Sequence, residues 1–324
     1  MNRIETLQQV RNILSNAGFY VSEVYSMRPI GFDLVARRDN TLLIIKVLTN
    51  INAFPEEVAD ELKKLAKLLQ GHPLLIGIRA GSGRLEEEVV YDRFGIQTIH
   101  PETLKNHLLE GIPLRVYAAP GGFYVNLDSE KLSKLRKKQQ LSLGNFARSV
   151  HVSRRTVRMY EEGMNARIDV AFRIEDLLQA PLITDIDILR HNIKKHITPE
   201  KNDPQNKKTE NKHPLHGFQK EIFSLLKNSG YTIIPLGRCP FEAVSKDREK
   251  ILLTCVQRYD QKILKKAKIV SSISKITEKR AVLITDKKGT KDNIEGTPLI
   301  IKKELRNMRG PEEILELILE RMCS

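Results

Sequence analysis

The chain has no tryptophan, only 6% aromatic residues, and three cysteines in 324 residues. Cys239, Cys255 and Cys323 form no CxxC pair, which argues against a disulfide-stapled fold and against the usual structural-zinc spacings. The eight histidines form no ligand-like cluster, so no metal and no cofactor is expected. No run of 18 apolar residues occurs, and Met1 to Gly18 is polar and amphipathic. Neither a membrane span nor a secretory leader is therefore expected, and the scattered thiols suit the reducing cytoplasm. One absence is local. Between Lys131 and Arg158 there are nine Lys or Arg and no Asp or Glu.

What fills that acid-free stretch is helical. Ser142 stands before an apolar-periodic run in which Phe146, Ala147 and Val150 share one face, and its hydroxyl can cap that run. Ser153 repeats the capping signal, and Val157 and Tyr160 form the inward face of a second helix. A small Ala147 allows a close crossing, with Val152, Val157 and Tyr160 filling the angle. Two capped helices joined by a tight turn make a helix-turn-helix, spanning Leu143 to Glu162, whose second helix enters the major groove. Its Arg154, Arg155, Arg158 and Met159 lie away from the core face. Arg154 and Arg155 at the helix start are the expected base readers, since Arg bonds guanine O6 and N7 together. Thr156 and the capped start of the Ser142 helix are placed for phosphates, and Leu143 and Ser153 belong to the expected DNA-binding set. Arg136, Lys137 and Arg148 add positive charge that releases counterions from DNA. The competing reading is a solvated basic face on an ordinary helical bundle.

The pieces Leu135-Arg136-Lys137, Leu141-Ser142, Ala147, Val152-Ser153, Thr156-Val157-Arg158 and Tyr160 to Gly163 resemble the Cro and lambda-repressor class of DNA-binding domains. The resemblance implies that Arg154, Arg155 and Met159 face the bases. Two positions depart from the family. Leu143 stands where the family often carries a phosphate-clamping Gln, and His151 stands where the turn usually carries Gly. Histidine tolerates positive φ better than a β-branched residue does. A closing helix through Val170, Ala171, Ile174, Leu177 and Leu178 is expected.

The formal charge of +14 is uneven. Residues 1–127 are neutral, with 14 basic and 14 acidic, while 128–197 carry +5 and 216–324 carry +8. Before the basic stretch, hydrophobic periodicity predicts a helix from Ile4 to Leu14, strands over 19–24, 32–36 and 41–48, and a helix over 56–69. A strand over 73–78, a helix over 85–92, a strand over 96–99 and a helix over 102–109 complete an α/β sandwich with a mixed sheet. Residues 114–127 read as a β-hairpin around Pro120-Gly121-Gly122 that connects this domain to the helices.

Asp33 on one strand and Ile44-x-Lys46 on the next resemble the restriction-endonuclease-like fold. That family holds a metal with an Asp and the Glu of Glu-x-Lys, and its Lys helps activate water. Here Ile44 occupies the second carboxylate's place, so Asp33 and Lys46 are vestigial candidates and no catalytic residue is assigned. After a polar, proline-containing linker over 198–216, residues 241–256 align without gaps to 32–47, with Glu242, Leu253 and Cys255 replacing Asp33, Ile44 and Lys46.

The expected architecture is multidomain, α/β plus all-α. A nuclease-like domain (1–112), a hairpin connector (113–127), a Cro-like domain (128–197), a flexible linker (198–216) and a second, degenerate nuclease-like copy (217–324) follow one another. The whole resembles archaeal helix-turn-helix regulators in which such a domain sits between two others. The expected function is sequence-specific regulation of transcription by a homodimer bound to double-stranded DNA. A DNA-targeted, metal-dependent nuclease and a non-specific chromatin-type binder are the alternatives.

Overall fold

The computed structural model describes residues 2–24, 30–190, 216–248, 250–260, 262–287 and 292–322. The linker expected over 198–216 lies, apart from His216, outside the described residues. Two compact units result, one from residues 2–17, 47–54 and 74–190, the other from the remaining described residues.

The chain opens with α1 (Arg3–Asn16), capped by Asn2, whose side chain accepts from the Ile4 and Glu5 amides while Glu5 returns a bond to the Asn2 amide. This reciprocal box satisfies amides that a helix start leaves bare. Strands β1 (Tyr20–Val21), β2 (Leu34–Arg38) and β3 (Thr41–Asn50) follow, then α2 (Glu56–Leu69). Next come β4 (His72–Ala80), β5 (Gly83–Arg84), β6 (Val89–Arg93), β7 (Ile96–Ile99) and α3 (Pro101–Leu109). The helix expected over 85–92 is not formed. Glu88 turns the chain at φ +61, and Val89-Val90-Tyr91 run as β6, antiparallel to β7. Three consecutive glutamates favour a helix locally, but two β-branched residues and a tyrosine fit a strand that has neighbours to pair with.

The hairpin appears as β8 (Val116–Ala119) and β9 (Gly122–Leu127). It does more than connect. β8 pairs parallel to β6, while β9 also takes β10 (Ala166–Arg167) and β11 (Ile183–Thr184) as antiparallel partners. Between them lie α4 (Ser129–Lys138), α5 (Leu143–Ser149), α6 (Arg154–Glu161) and α7 (Ile168–Leu178). Val125 and Leu127 of β9 enter one core with Leu132, Phe146, Val150, Val157, Tyr160, Ile174 and Leu178. Strand and helix burial are thus shared, and α7 closes the bundle where periodicity placed it.

Each of the first three helices of this bundle ends in the same way. Gln140, His151 and Gly163 all have positive φ. Beyond them the amides of Leu141, Val152 and Met164 reach back to the carbonyls of Arg136, Ala147 and Met159. These are Schellman closures, which satisfy carbonyls that the helix ends would strand. His151 sits at φ +58 in the turn between α5 and α6.

The last part runs α8 (Gly217–Asn228), β12 (Thr232–Pro235), β13 (Ala243–Asp247), β14 (Lys250–Val256), α9 (Ile263–Thr277) and β15 (Arg280–Thr285). It ends with β16 (Asn293–Ile294), β17 (Thr297–Ile301), α10 (Lys302–Asn307) and α11 (Pro311–Met322). Its strand order is β12-β13-β14-β15-β17-β16. The β13–β14 hairpin pairs Val244 with Leu253 and Asp247 with Lys250. The β2–β3 hairpin pairs Val35 with Ile44 and Arg38 with Thr41. The two registers coincide pair for pair at one sequence offset, and the turns place Asp39 and Arg248 alike at φ +51.

Because a β-branched residue pays a steric cost in the left-handed region, His151→Val is expected to cost about 1–2 kcal/mol and His151→Gly to cost nothing. Hydrogen exchange of the α5 and α6 amides in the intact chain checks this; equal protection in both variants would show that the turn bears no such strain.

Candidate nucleic-acid interface

The two short helices of the interface are set by their caps. Ser142 Oγ accepts from the Asn145 amide at 3.1 Å, and Ser153 Oγ accepts from the Thr156 amide at 3.0 Å. Phe146, Ala147, Val150, Val157 and Tyr160 are buried, so the crossing is filled by the residues that the spacing singled out. Burial pushes the Tyr160 phenol up from its ordinary pKa, with the nearby Asp169 adding to the shift.

One ion pair locks the second helix. Arg136 of α4 is 8% exposed. Its Nε donates to Glu161 Oε1 at 2.7 Å, its Nη2 to Glu161 Oε2 at 3.1 Å, and its Nη1 to the Leu141 carbonyl at 2.7 Å. A bidentate pair of this kind fixes direction as well as distance.

On the opposite side of α6, Arg154, Arg155, Arg158 and Met159 are exposed. Arg158 Nε donates to Glu162 Oε1 at 2.9 Å, and Arg148 Nη2 to Asn145 Oδ1 at 2.6 Å. Both pairs lie on the surface and are weak, so either arginine is free to exchange its partner for a phosphate. Lys137 is exposed. The Thr156 hydroxyl lies 2.8 Å from Ser153 Oγ. Gly144, in the first turn of α5, has the Arg154 guanidinium lying over it: a Cβ there would stand 2.8 Å from Arg154 Nε.

The carboxylates of the α/β parts differ from these in character. Asp33 is 2% exposed, and Lys46 Nζ lies 3.3 Å from its Oδ1. In the last part of the chain, Glu242 Oε2 accepts from the Val256 amide at 2.8 Å, and Lys266 of α9 donates to Oε1. Burial opposes the Lys266 charge, but the Cys255 sulfur and the Glu242 carboxylate outweigh it and raise its pKa. Burial pushes the Cys255 thiol up to about 12. The Gly31 amide donates to the Arg238 carbonyl at 2.7 Å, and Arg37 pairs with Glu278 at 2.6 Å, so the loops before β2 and β13 are packed against each other.

Comparison with known proteins agrees with this geometry. Residues 3–114 match the PD-(D/E)XK superfamily domain and residues 132–183 match the helix-turn-helix domain. A Methanosarcina acetivorans protein named "Putative HTH-type transcriptional regulatory protein" is 39% identical over 99% of this chain and 98% of its own. A protein of the same name from Methanococcoides burtonii is 40% identical over 97% and 96% of the two chains. Another, from Halorubrum lacusprofundi, is 37% identical over 99% and 98%. The chain belongs to this family of archaeal HTH-type regulators. No solved structure matches it.

The PD-(D/E)XK likeness implies a divalent cation, and the residues do not fit one. Ile44 is wholly buried where a second carboxylate would stand, and Lys46 is committed to Asp33. Among the described residues no three His, Cys, Asp or Glu side chains gather as a metal site requires. Magnesium needs one or two carboxylates besides water and phosphate. Among the described residues, too, no helix is long and apolar enough to cross a membrane.

Two residues expected at the regulator's DNA surface are placed elsewhere. Arg136 is inside, held by Glu161, and Leu143 is half-buried against the bundle core. Charge counting could not separate Arg136 from its basic neighbours, because its partner comes 25 positions later. The expectation also passed over Gly144, over which the Arg154 guanidinium lies.

Removing one member of a buried ion pair leaves the other uncompensated. Glu161→Gln is therefore expected to lower the opening free energy of the α6 amides by about 3–5 kcal/mol. Hydrogen exchange reads this locally, which suits a chain of several domains. A loss below about 1 kcal/mol, the worth of a surface pair, would show that the pair does not hold the helix.

Proposed function

We propose that this chain is a sequence-specific transcriptional regulator that inserts α6 into the major groove of double-stranded DNA, acts as a homodimer, and is not a nuclease. The observation that carries this reading is a short helix locked from behind by Arg136–Glu161 that presents Arg155, Arg158 and Met159 on its outer face. Arg155 is the residue that helical geometry, at 3.6 residues per turn, puts opposite the Val157/Tyr160 core side. Domains of this type bind two half-sites about one helical turn apart, which supports a dimer.

The flanking α/β parts are read as two copies of one nuclease-like domain. The matching hairpin registers, the equal φ of Asp39 and Arg248, and the same succession of helix, strands, helix, strand support a duplication. Both parts carry a carboxylate at the same place, Asp33 and Glu242, and each is paired with a lysine, the half-buried Lys46 and the buried Lys266. That use favours a structural over a catalytic role.

Selection from random duplexes by the full chain is expected to enrich a palindrome. Arg155→Ala is expected to cost about 1–3 kcal/mol at one base position and to relax the preference there. Enrichment of no sequence would favour a non-specific binder. Incubation of plasmid DNA with magnesium or manganese is expected to give no cleavage; cleavage abolished by Asp33→Ala would instead establish the nuclease.

A further inference from the structure

We propose that Arg154 is not a base reader but a backbone clamp, and that Gly144 is the residue that sets it so. The inference rests on the DNA-binding reading above and divides labour within it.

The two arginines at the start of α6 differ in position. With 3.6 residues per turn, consecutive residues point about a quarter-turn apart. Arg155 faces opposite the buried Val157 and Tyr160, outward from the bundle. Arg154 therefore points sideways, toward α5, and there its guanidinium lies over Gly144. A Cβ on that glycine would stand 2.8 Å from Nε, 2.9 Å from Nη2 and 3.0 Å from Cζ. No alanine could occupy the position without displacing the arginine. Gly144 has no left-handed φ to explain it and lies inside a helix, where glycine is disfavoured. The space it leaves is taken by Arg154.

In a helix-turn-helix the first helix crosses the phosphodiester backbone while the second enters the groove. A guanidinium laid against the first turn of α5 is thus held where backbone oxygens pass, with its charge and donors presented to a phosphate. It also fills the role left open at Leu143, an apolar side chain that packs against the core and cannot bond a phosphate. Arg155, exposed on the side of α6 opposite the core, keeps the reach to a base edge. Phosphate contacts hold register and carry no sequence information, whereas base contacts specify.

The test uses the full-length chain, the duplex it selects, a scrambled duplex and a salt titration. Arg154→Ala is expected to weaken both duplexes by the same factor, about tenfold for a lost charged hydrogen bond. It should lower the slope of log affinity against log salt by about 1 and leave the selected sequence unchanged. Gly144→Ala is expected to weaken binding in the same uniform way, and to have no further effect when Arg154 is already Ala. Alanine is a better helix former than glycine, so this variant should melt no lower than the native chain. Loosened preference at one base position in Arg154→Ala would overturn the inference while leaving the regulator reading intact. So would an equal loss from Gly144→Ala with and without Arg154. If the native chain enriches no site, the regulator reading fails instead. The salt slope on random duplex then still decides, and an unchanged slope in Arg154→Ala would overturn the clamp as well.

Discussion

The bundle depends on the ion pair between Arg136 and Glu161. Three donors of one guanidinium reach both oxygens of a carboxylate on α6 and the Leu141 carbonyl just before α5. One side chain thus ties the end of α4, the entry to α5 and the last turn of α6. Taking two charges out of water is costly, so such a pair contributes less to net stability than to the choice of a single arrangement. With α6 tied there and Val157 and Tyr160 in the core, Arg155 lies on the opposite side and the Arg154 guanidinium lies over Gly144.

Around that pair the chain spends few residues on rigidity. Three left-handed closures, at Gln140, His151 and Gly163, stop the helices within a turn of one another. Only Gly163, after α6, is glycine, so the backbone strain falls on Gln140 and His151, which end α4 and α5. The hairpin completes the domain: Val125 and Leu127 plug the same core as Phe146 and Tyr160. A helical unit of this size has little surface to bury, and a strand face adds to it.

The α/β parts each hold one carboxylate against a lysine. A carboxylate drawn out of water without a partner is expensive; Asp33 is buried and Glu242 half-buried, and a lysine offsets that cost in each. The first part supplies it from the neighbouring strand, as Lys46, and the last part from α9, as Lys266. The two hairpins share a register, yet the lysine comes from a different element in each.

Much of this was legible in the sequence. The two serine caps, the buried spacing of Phe146, Ala147, Val150, Val157 and Tyr160, the hairpin at Gly121 and the closing helix are local signals, carried by residues within a few positions of each other. Those are the ranges over which capping and periodicity act. The strand at Val89 could not be told from a helix, because a short run next to three glutamates takes its form from the strands that receive it. Nor could Arg136 be told from Lys137, or Arg154 from Arg155. Neighbours in a basic run carry the same charge, and what separates them is a carboxylate 25 residues on or a glycine on the preceding helix. The sequence by itself determined the helices and buried faces of the bundle, and that the bundle's surface is basic. Only the tertiary structure decided which arginine is buried, which leans on α5 and which points outward. Those assignments depend on distances between residues far apart in the chain, which the packing of the helices alone sets.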